Sequence, residues 1–122
     1  MLQIESQIIF KDNCGIINGK IIHIYKSGKK KNTGRLTDIF LFSPQKVKNR
    51  KNINQKTYYG IITNTRKKNK RINGHYINSA FSSAVSLQQK DIFKATRVTG
   101  TIFSEIRFAK LPTLILTAKK II

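Results

Sequence analysis

The residues with the clearest chemical character are the cations of Arg66–Arg71, where five of six side chains are Lys or Arg. Fixed cations at this density bind phosphate groups, because each neutralised phosphate releases condensed counterions. The run follows an apolar segment that begins at Ile61, and it precedes the dipeptide Asn73-Gly74. Asn-Gly favours the type I′ turn of a two-residue β-hairpin. The pattern therefore predicts a cationic hairpin that binds a polyanion.

Side chains alternate between the two faces of a strand. That alternation predicts Arg66, Lys68 and Lys70 on one face of the hairpin. Lys67 and Arg71 then lie on the other face. Neither face is apolar, and a two-stranded hairpin is marginal alone in water. We therefore interpret the hairpin as a ribbon ordered by its polyanion. The alternative, a solvated charge run on a loop, fits the hairpin signal and the charge elsewhere in the chain less well.

Two further basic segments, Lys26–Arg35 and Lys46–Lys56, accompany the ribbon. If the fold brings the three segments to one side, they form a wide cationic surface. The four tyrosines are candidates for stacking on bases: Tyr25, Tyr58, Tyr59 and Tyr76. For Tyr58 and Tyr59, packing in the core is the preferred interpretation. The predicted phosphate-binding residues are Lys26, Lys29, Lys30, Lys31, Arg35, Lys46, Lys48, Arg50, Lys51, Arg66, Lys67, Lys68, Lys70 and Arg71.

The whole chain is strongly basic: its 122 residues carry 24 Lys and Arg against five acids, a net charge of +19. Charge of this size indicates anionic partners, of which phosphate backbones come first and anionic membranes or acidic proteins second. The 39% apolar content excludes a basic disordered tail. No segment has the pattern of a helix that reads the major groove, whereas structured RNA is recognised largely by shape and backbone. RNA is therefore favoured over duplex DNA.

Other chemistry is not indicated by the sequence. His23 and His75 are far apart, and with the single Cys14 they do not make a zinc pattern. The five acids are scattered, and no phosphate-cradling glycine motif is present. We expect no catalytic residue, metal or cofactor. No apolar run approaches about 18 residues, so no membrane insertion is expected. The N-terminal residues lack the pattern of a secretory signal or an organellar presequence.

The elements that must position these residues are short strands separated by turn residues. In the second of them we expect Ile22 and Ile24 on one face, and we expect Ser43-Pro44 to stop the third. Residues Ala95–Gly100 read as a loop. The predicted strands are Glu5–Phe10, Lys20–Tyr25, Asp38–Phe42, Thr57–Thr65, His75–Ser79 and Ala84–Leu87; short helices follow at Ser104–Phe108 and from Pro112. This spacing predicts a small closed barrel or sandwich capped by two short helices.

From end to end the chain resembles the L-fourteen family of large-subunit ribosomal proteins. Its beginning is similar to the family's M-I-Q and A-D-N-S-G-A, here Met1-Leu2-Gln3 and Lys11–Ile16. The family's basic ribbon resembles Ile61–Gly74, and its C-terminal motifs resemble Ala95–Arg107 and Lys110–Ala118. The resemblance rests on the order, spacing and full-length coverage of these motifs together.

The resemblance implies a mainly β fold: a small five-stranded β-barrel of OB or SH3 type with a projecting β-ribbon and two short C-terminal helices. It implies a single domain over residues 1–122, with the barrel over about 1–92, the ribbon over about 64–79 and the C-terminal helical region over about 95–122.

The resemblance also implies a structural, non-enzymatic role in the large ribosomal subunit. The implied partners are large-subunit rRNA, neighbouring large-subunit proteins, small-subunit rRNA across the interface, and a ribosome-silencing factor. The residues implied at the subunit interface or factor-docking face are Thr96, Arg97, Arg107 and Lys110. Two alternatives remain open on the residues alone: a free OB-like barrel that binds single-stranded nucleic acid and, with less support, a membrane-active cationic barrel.

Amino-acid usage bears on the compartment. Eighteen Lys, twenty Ile and ten Asn are residues with A/T-rich codons. Together with the missing targeting pattern, this usage predicts an organelle-encoded protein of the mitochondrial ribosome. A plastid or a bacterial cytoplasm is the alternative.

Overall fold

The chain folds as a mainly β protein, seen in a computed structural model that describes residues 2–25, 33–48, 55–89, 92–93, 97–109 and 111–122. The strands are β1 (Leu2–Gln3), β2 (Gln7–Phe10), β3 (Ile16–Tyr25), β4 (Thr33–Gly34), β5 (Ile39–Val47), β6 (Tyr58–Asn64), β7 (Asn69–Lys70), β8 (Tyr76–Ile77), β9 (Ser83–Gln89), β10 (Ile92–Phe93), β11 (Val98–Ile102) and β12 (Ala118–Ile121). A 3-10 helix spans Ser104–Ala109, and helix α1 spans Pro112–Thr117. No helix in these ranges is long and apolar enough to cross a membrane.

Five strands close into a barrel. Antiparallel pairs join β2 to β3, β3 to β5, β5 to β6 and β6 to β9. The parallel pair of β2 with β9 completes the circle. Closure pairs both edges of the sheet and so removes the exposed edges of an open one. The predicted five-stranded barrel is confirmed.

The barrel interior is filled by aromatic and branched aliphatic side chains. Phe40 and Phe42 are fully buried, and the ring centroids of Phe10 and Phe42 lie 4.3 Å apart. Gly60 makes room for this packing, because a Cβ there would lie 2.7 Å from Cζ of Phe40. Its role in the structure is therefore close packing against a ring.

A second core lies between the barrel wall and the C-terminal region. Ile61 and Val85 belong to it from the barrel, and they cluster with Ile102, Ile106 and Leu114. Strand β6 is consequently buried on both faces, which explains its nearly unbroken burial. This second core fixes the C-terminal helices against the barrel.

Strand β3 contains a bulge that the alternation of its residues did not predict. Ile24 is buried, whereas Ile22 is 42% exposed, so the prediction of a shared face is wrong. The register against β5 shifts between Ile21 and His23, and the extra residue reverses the inside–outside phase. Ile21 and Ile24 therefore both point into the barrel.

Strand β5 does not stop at Ser43-Pro44, as predicted, but continues to Val47. Pro44 lies opposite Gly19, next to a register shift in the ladder. Proline is tolerated in a strand at such an irregularity, because the missing N–H is not needed for a regular bond.

The C-terminal region contains the two predicted short helices, and both are confirmed. The predicted loop at Ala95–Gly100 is wrong for its last three residues, which lie in β11. Strand β11 pairs in parallel with β12, and the two helices form the crossover between them.

Candidate nucleic-acid interface

The ribbon is a short hairpin in which Asn69 faces Ile77 and Lys70 faces Tyr76. The hairpin prediction is confirmed, but the type I′ turn is wrong. Gly74 N–H donates to the Arg71 carbonyl at 3.0 Å, and Arg71 N–H donates to the His75 carbonyl at 2.8 Å. Within this loop only Gly74 has a positive φ, at 86°. The connection is therefore a three-residue loop with its glycine in the left-handed region, and it leaves Ile72 fully exposed.

The cationic run lies mainly in a bend rather than in a strand. Strand β6 ends at Asn64 and β7 begins at Asn69, so the predicted alternation does not hold for the three residues Arg66–Lys68. Thr65 Oγ1 donates to the Lys67 carbonyl at 3.1 Å, and Asn69 Nδ2 donates to the same carbonyl at 2.9 Å. Neutral side chains thus hold the bend, and the cations of Arg66, Lys67 and Lys68 point into solvent.

A polar cleft of about 290 Å³ separates this bend from the turn before β5. Its charged lining residues are Arg35, Lys67, Lys68 and Lys70, and we call it the cationic cleft. Arginine offers a planar fork of donors and lysine a compact point charge, and both bind phosphate. Four of the predicted phosphate-binding residues therefore converge on one cleft.

The turn that carries Arg35 is fixed from both sides. The Arg35 backbone N–H donates to Asp38 Oδ2 at 2.7 Å. Thr37 N–H donates to the Ile62 carbonyl of β6 at 3.0 Å, while Thr37 holds a φ of 68°. Such a φ is unusual for a β-branched residue and is maintained only where surrounding contacts impose it. The position of Arg35 beside the ribbon is thus set by contacts with the barrel.

The other predicted cations in the described part of the chain are not among the residues that line the cationic cleft. Lys46 lies near the end of β5 and Lys48 directly follows that strand, roughly 25 Å along it from its start. Lys48 N–H donates to the Gly15 carbonyl at 2.7 Å, and Arg97 N–H donates to Asn13 Oδ1 at 3.2 Å. These two residues therefore flank the Asp12–Gly15 turn. Eight predicted residues lie outside the described residues: Lys26, Lys29, Lys30, Lys31, Arg50, Lys51, Thr96 and Lys110.

Arg71 is placed differently from the other cations of the run. Its Nε donates to Glu105 Oε1 at 2.7 Å, and its Nη2 donates to Glu105 Oε2 at 3.3 Å and to the Ile122 carbonyl. The two side chains are only 25% and 24% exposed. This bidentate pair ties the ribbon to the 3-10 helix, so the chain itself supports the ribbon. The sequence interpretation, in which only a polyanion orders the ribbon, did not include this contact.

The tyrosines divide by exposure. Tyr58 is buried, with its hydroxyl accepting the Gln55 N–H at 3.1 Å, so core packing is confirmed for it. Tyr59 packs against the second core, and its ring lies 5.8 Å from that of Tyr25. Burial and the neighbouring Tyr59 raise the pKa of Tyr25. Tyr76, on the ribbon, is 62% exposed and has an open ring for stacking.

Asp12 organises a polar cluster that the sequence did not reveal. Its Oδ2 accepts the backbone N–H and the hydroxyl of Ser86, each at 2.6 Å, and its Oδ1 accepts the Cys14 thiol at 2.7 Å. Burial, with Asp12 beside it, raises the pKa of Cys14 to about 11. The thiol is therefore neutral and a poor nucleophile. The described ranges contain no group of three or more metal-ligating side chains.

Comparison with known protein families gives a match over the full length of the chain. The family described as ribosomal protein L14p/L23e matches residues 1–122, which is the whole chain. It is a family of structural proteins of the large ribosomal subunit and not of enzymes. The closed barrel, the ribbon and the two short helices are also the architecture that the sequence resemblance implied. The chain therefore belongs to the ribosomal protein L14p/L23e family and is a structural protein of the large ribosomal subunit.

Proposed function

We propose that this chain binds large-subunit rRNA through the cationic cleft and the exposed cations beside it. The observation that supports this most strongly is the convergence of Arg35 with three ribbon lysines across one polar cleft. No carboxylate is among the described lining residues. The bend that presents the lysines is held by Thr65 and Asn69, so the cations are not engaged in holding the backbone. Bound phosphates therefore meet positive charge that is already in position.

The test removes charge from the cleft and measures salt dependence. Replacing Lys67, Lys68 and Lys70 together by Gln should reduce the log–log salt slope of binding to a large-subunit rRNA fragment. The reduction should reach about 2.7, which is three contacts at about 0.9 each on the duplex estimate. Dissociation constants measured between about 50 and 200 mM salt give this slope.

A matched control removes the same charge elsewhere. Lys20, Lys119 and Lys120 are exposed and are not among the residues that line the cleft. Their triple Gln variant has the same net charge as the cleft variant and should keep a slope close to that of the unmodified chain. Equal losses in both triple variants would contradict the proposal, because they would indicate binding by overall charge alone.

We also propose that the C-terminal end meets the small subunit or a factor that prevents subunit joining. Its candidate residues are Thr96, Arg97, Arg107 and Lys110. Support comes from Arg97 and Arg107, which are exposed and make no ion pair with another described residue. Arg97→Ala should leave incorporation into the large subunit unchanged and should lower the monosome fraction in sucrose gradients. Loss of the chain from large subunits would instead assign Arg97 to assembly.

For the compartment we propose the mitochondrial ribosome, with a plastid or a bacterial cytoplasm as the alternative. The support is the heavy use of Lys, Ile and Asn. A nuclear gene with an upstream presequence would contradict organelle encoding, and a gene in a free-living bacterium would contradict the whole assignment.

A further inference from the structure

A second cleft, of about 450 Å³, lies between the ribbon loop and the 3-10 helix. Lys70, Arg71 and Ile72 line it from the ribbon, and Glu105 and Phe108 line it from the helix. We call it the apolar cleft. It shares Lys70 with the cationic cleft, so the ribbon borders two recesses of different chemistry.

Two large apolar side chains at the apolar cleft are mostly exposed to solvent. Ile72 is fully exposed, and Phe108 is 80% exposed. A single exposed apolar residue is ordinary on a protein surface. Two that line the same recess form the kind of patch that marks an interaction site. Anchor side chains of a partner are typically buried in such recesses.

The charges inside the apolar cleft indicate which kind of partner fits. The Arg71 guanidinium is neutralised there by Glu105 at 2.7 Å. A phosphate entering the cleft would meet the Glu105 carboxylate and the hydrocarbon of Ile72 and Phe108, and Lys70 is the one described lining cation that makes no ion pair with another described residue. The described lining of the cationic cleft, in contrast, contains several cations and no acid. The apolar cleft is therefore suited to an apolar protein side chain, and the cationic cleft to RNA.

Lys70 adds an electrostatic requirement. It is exposed and lines the apolar cleft, and the chain as a whole carries a charge of +19. Complementary charge steers association and excludes partners of like charge. A partner segment that places a carboxylate beside its apolar anchor meets both the hydrocarbon and the ammonium group.

We propose that the apolar cleft receives a large apolar side chain from a neighbouring protein of the large subunit, in a segment that also carries Asp or Glu next to it. The inference rests on the proposed function, because assigning RNA to the cationic cleft leaves the apolar cleft for a protein. It extends that function by assigning the protein-binding surface to the opening between Ile72 and Phe108.

The test is site-specific photo-crosslinking of the full chain within purified large subunits. p-Benzoylphenylalanine replaces Phe108, a change that an exposed aromatic position accepts without loss of fold. Irradiation should give a product that is sensitive to protease and resistant to ribonuclease. Mass spectrometry should locate the crosslink in one protein segment, with a large apolar residue within about one helical turn of an acid. The same crosslinker at Lys68, in the cationic cleft, should give a product with rRNA.

Variants then test the chemistry of the contact. The double variant Ile72→Asp, Phe108→Asp changes only exposed side chains, so it should enter large subunits normally. The crosslinked protein should then be lost from those subunits at least tenfold more readily in a salt wash. Ile22→Asp, a substitution at an exposed barrel residue that does not line the cleft, should retain it.

Each other outcome has a definite meaning. The inference is overturned if position 108 crosslinks to RNA alone, to a protein segment without an acid, or to no other chain. In each of these cases an RNA crosslink from position 68 still supports the proposed function. Absence of the chain from large subunits, or no RNA crosslink from position 68, counts against the proposed function and removes the basis of the inference with it.

Discussion

The ion pair between Arg71 and Glu105 should stabilise the ribbon in the absence of RNA. Fully exposed pairs contribute about 0.2–1 kcal/mol, and hydrogen bonds to charged groups about 1.5–3 kcal/mol. This pair is bidentate and about three-quarters buried. We therefore expect a coupling of about 1–2 kcal/mol in a double-mutant cycle of Arg71→Gln and Glu105→Gln.

Amide hydrogen exchange on the full-length protein measures this coupling where it acts. The reporters are the N–H groups of Arg71 and Gly74, which bond across the ribbon loop. Opening of the ribbon should become about 5–30 times more frequent when the coupling is lost. Arg71→Gln should have a larger effect than Glu105→Gln, because the guanidinium also bonds the Ile122 carbonyl.

The control for this cycle is Arg66→Gln, since Arg66 is exposed and forms no ion pair with another described residue. It should leave exchange at the reporters unchanged. A coupling below about 0.3 kcal/mol, within the range of additive error, would refute the reasoning. So would reporters that exchange equally fast in all four proteins of the cycle.

Three further predictions concern the barrel. Cys14, with its pKa raised to about 11, should react slowly with iodoacetamide at pH 8 and quickly only as the pH approaches 11. Its pKa in the folded protein lies above the ordinary 9.0, so the protonated thiol contributes fully to stability below pH 9.0, and this contribution is lost as the pH rises through about 11. Cys14→Ser should remove this pH dependence from the free energy of unfolding measured in urea. Gly60→Ala should destabilise by about 1–3 kcal/mol through overpacking, and Phe40→Leu should partly rescue it, whereas equal stability of the single variant would contradict the close approach. Asp12→Ala should cost about 2–4 kcal/mol in thermal unfolding, because two hydrogen bonds from Ser86 to a charged group are lost; a change within about 0.5 kcal/mol would place the cluster outside the stabilising contacts.

The barrel could be predicted because its strands carry their signals locally. Alternating apolar residues marked the strand at Ile8 and Phe10, and both side chains are buried as expected. The bulge at Ile22 could not be predicted in the same way, because which side chains of β3 face inward depends on the residues of β5 that lie opposite. The parallel pairing of β11 with β12 is similarly a property of two segments that meet only in the folded chain.

The cationic character of the candidate site was also readable from the sequence, but its arrangement was not. A run of lysines signals phosphate binding wherever it lies, whereas the placement of Arg35 beside it requires contacts between the turn before β5 and β6. Glu105 lies 34 residues from Arg71, and Ser86 lies 74 residues from Asp12. Sequence spacing carries no information on such distant partners. For this reason the sequence did not show that Arg71, one cation of the run, pairs with a carboxylate of the same chain.

Because of where the ribbon joins the barrel, its length can change with little effect on the barrel. It leaves β6 after Asn64 and returns to β9 at Ser83, and these two residues are partners in the ladder. The intervening residues 65–82 therefore close a loop whose ends are already adjacent. Shortening that loop from eighteen to four residues would change the entropy of closure by only about 1.3 kcal/mol. Apart from the bonds of Arg71 to Glu105 and to the Ile122 carbonyl, the length of the ribbon can thus change over evolution while the barrel keeps its register.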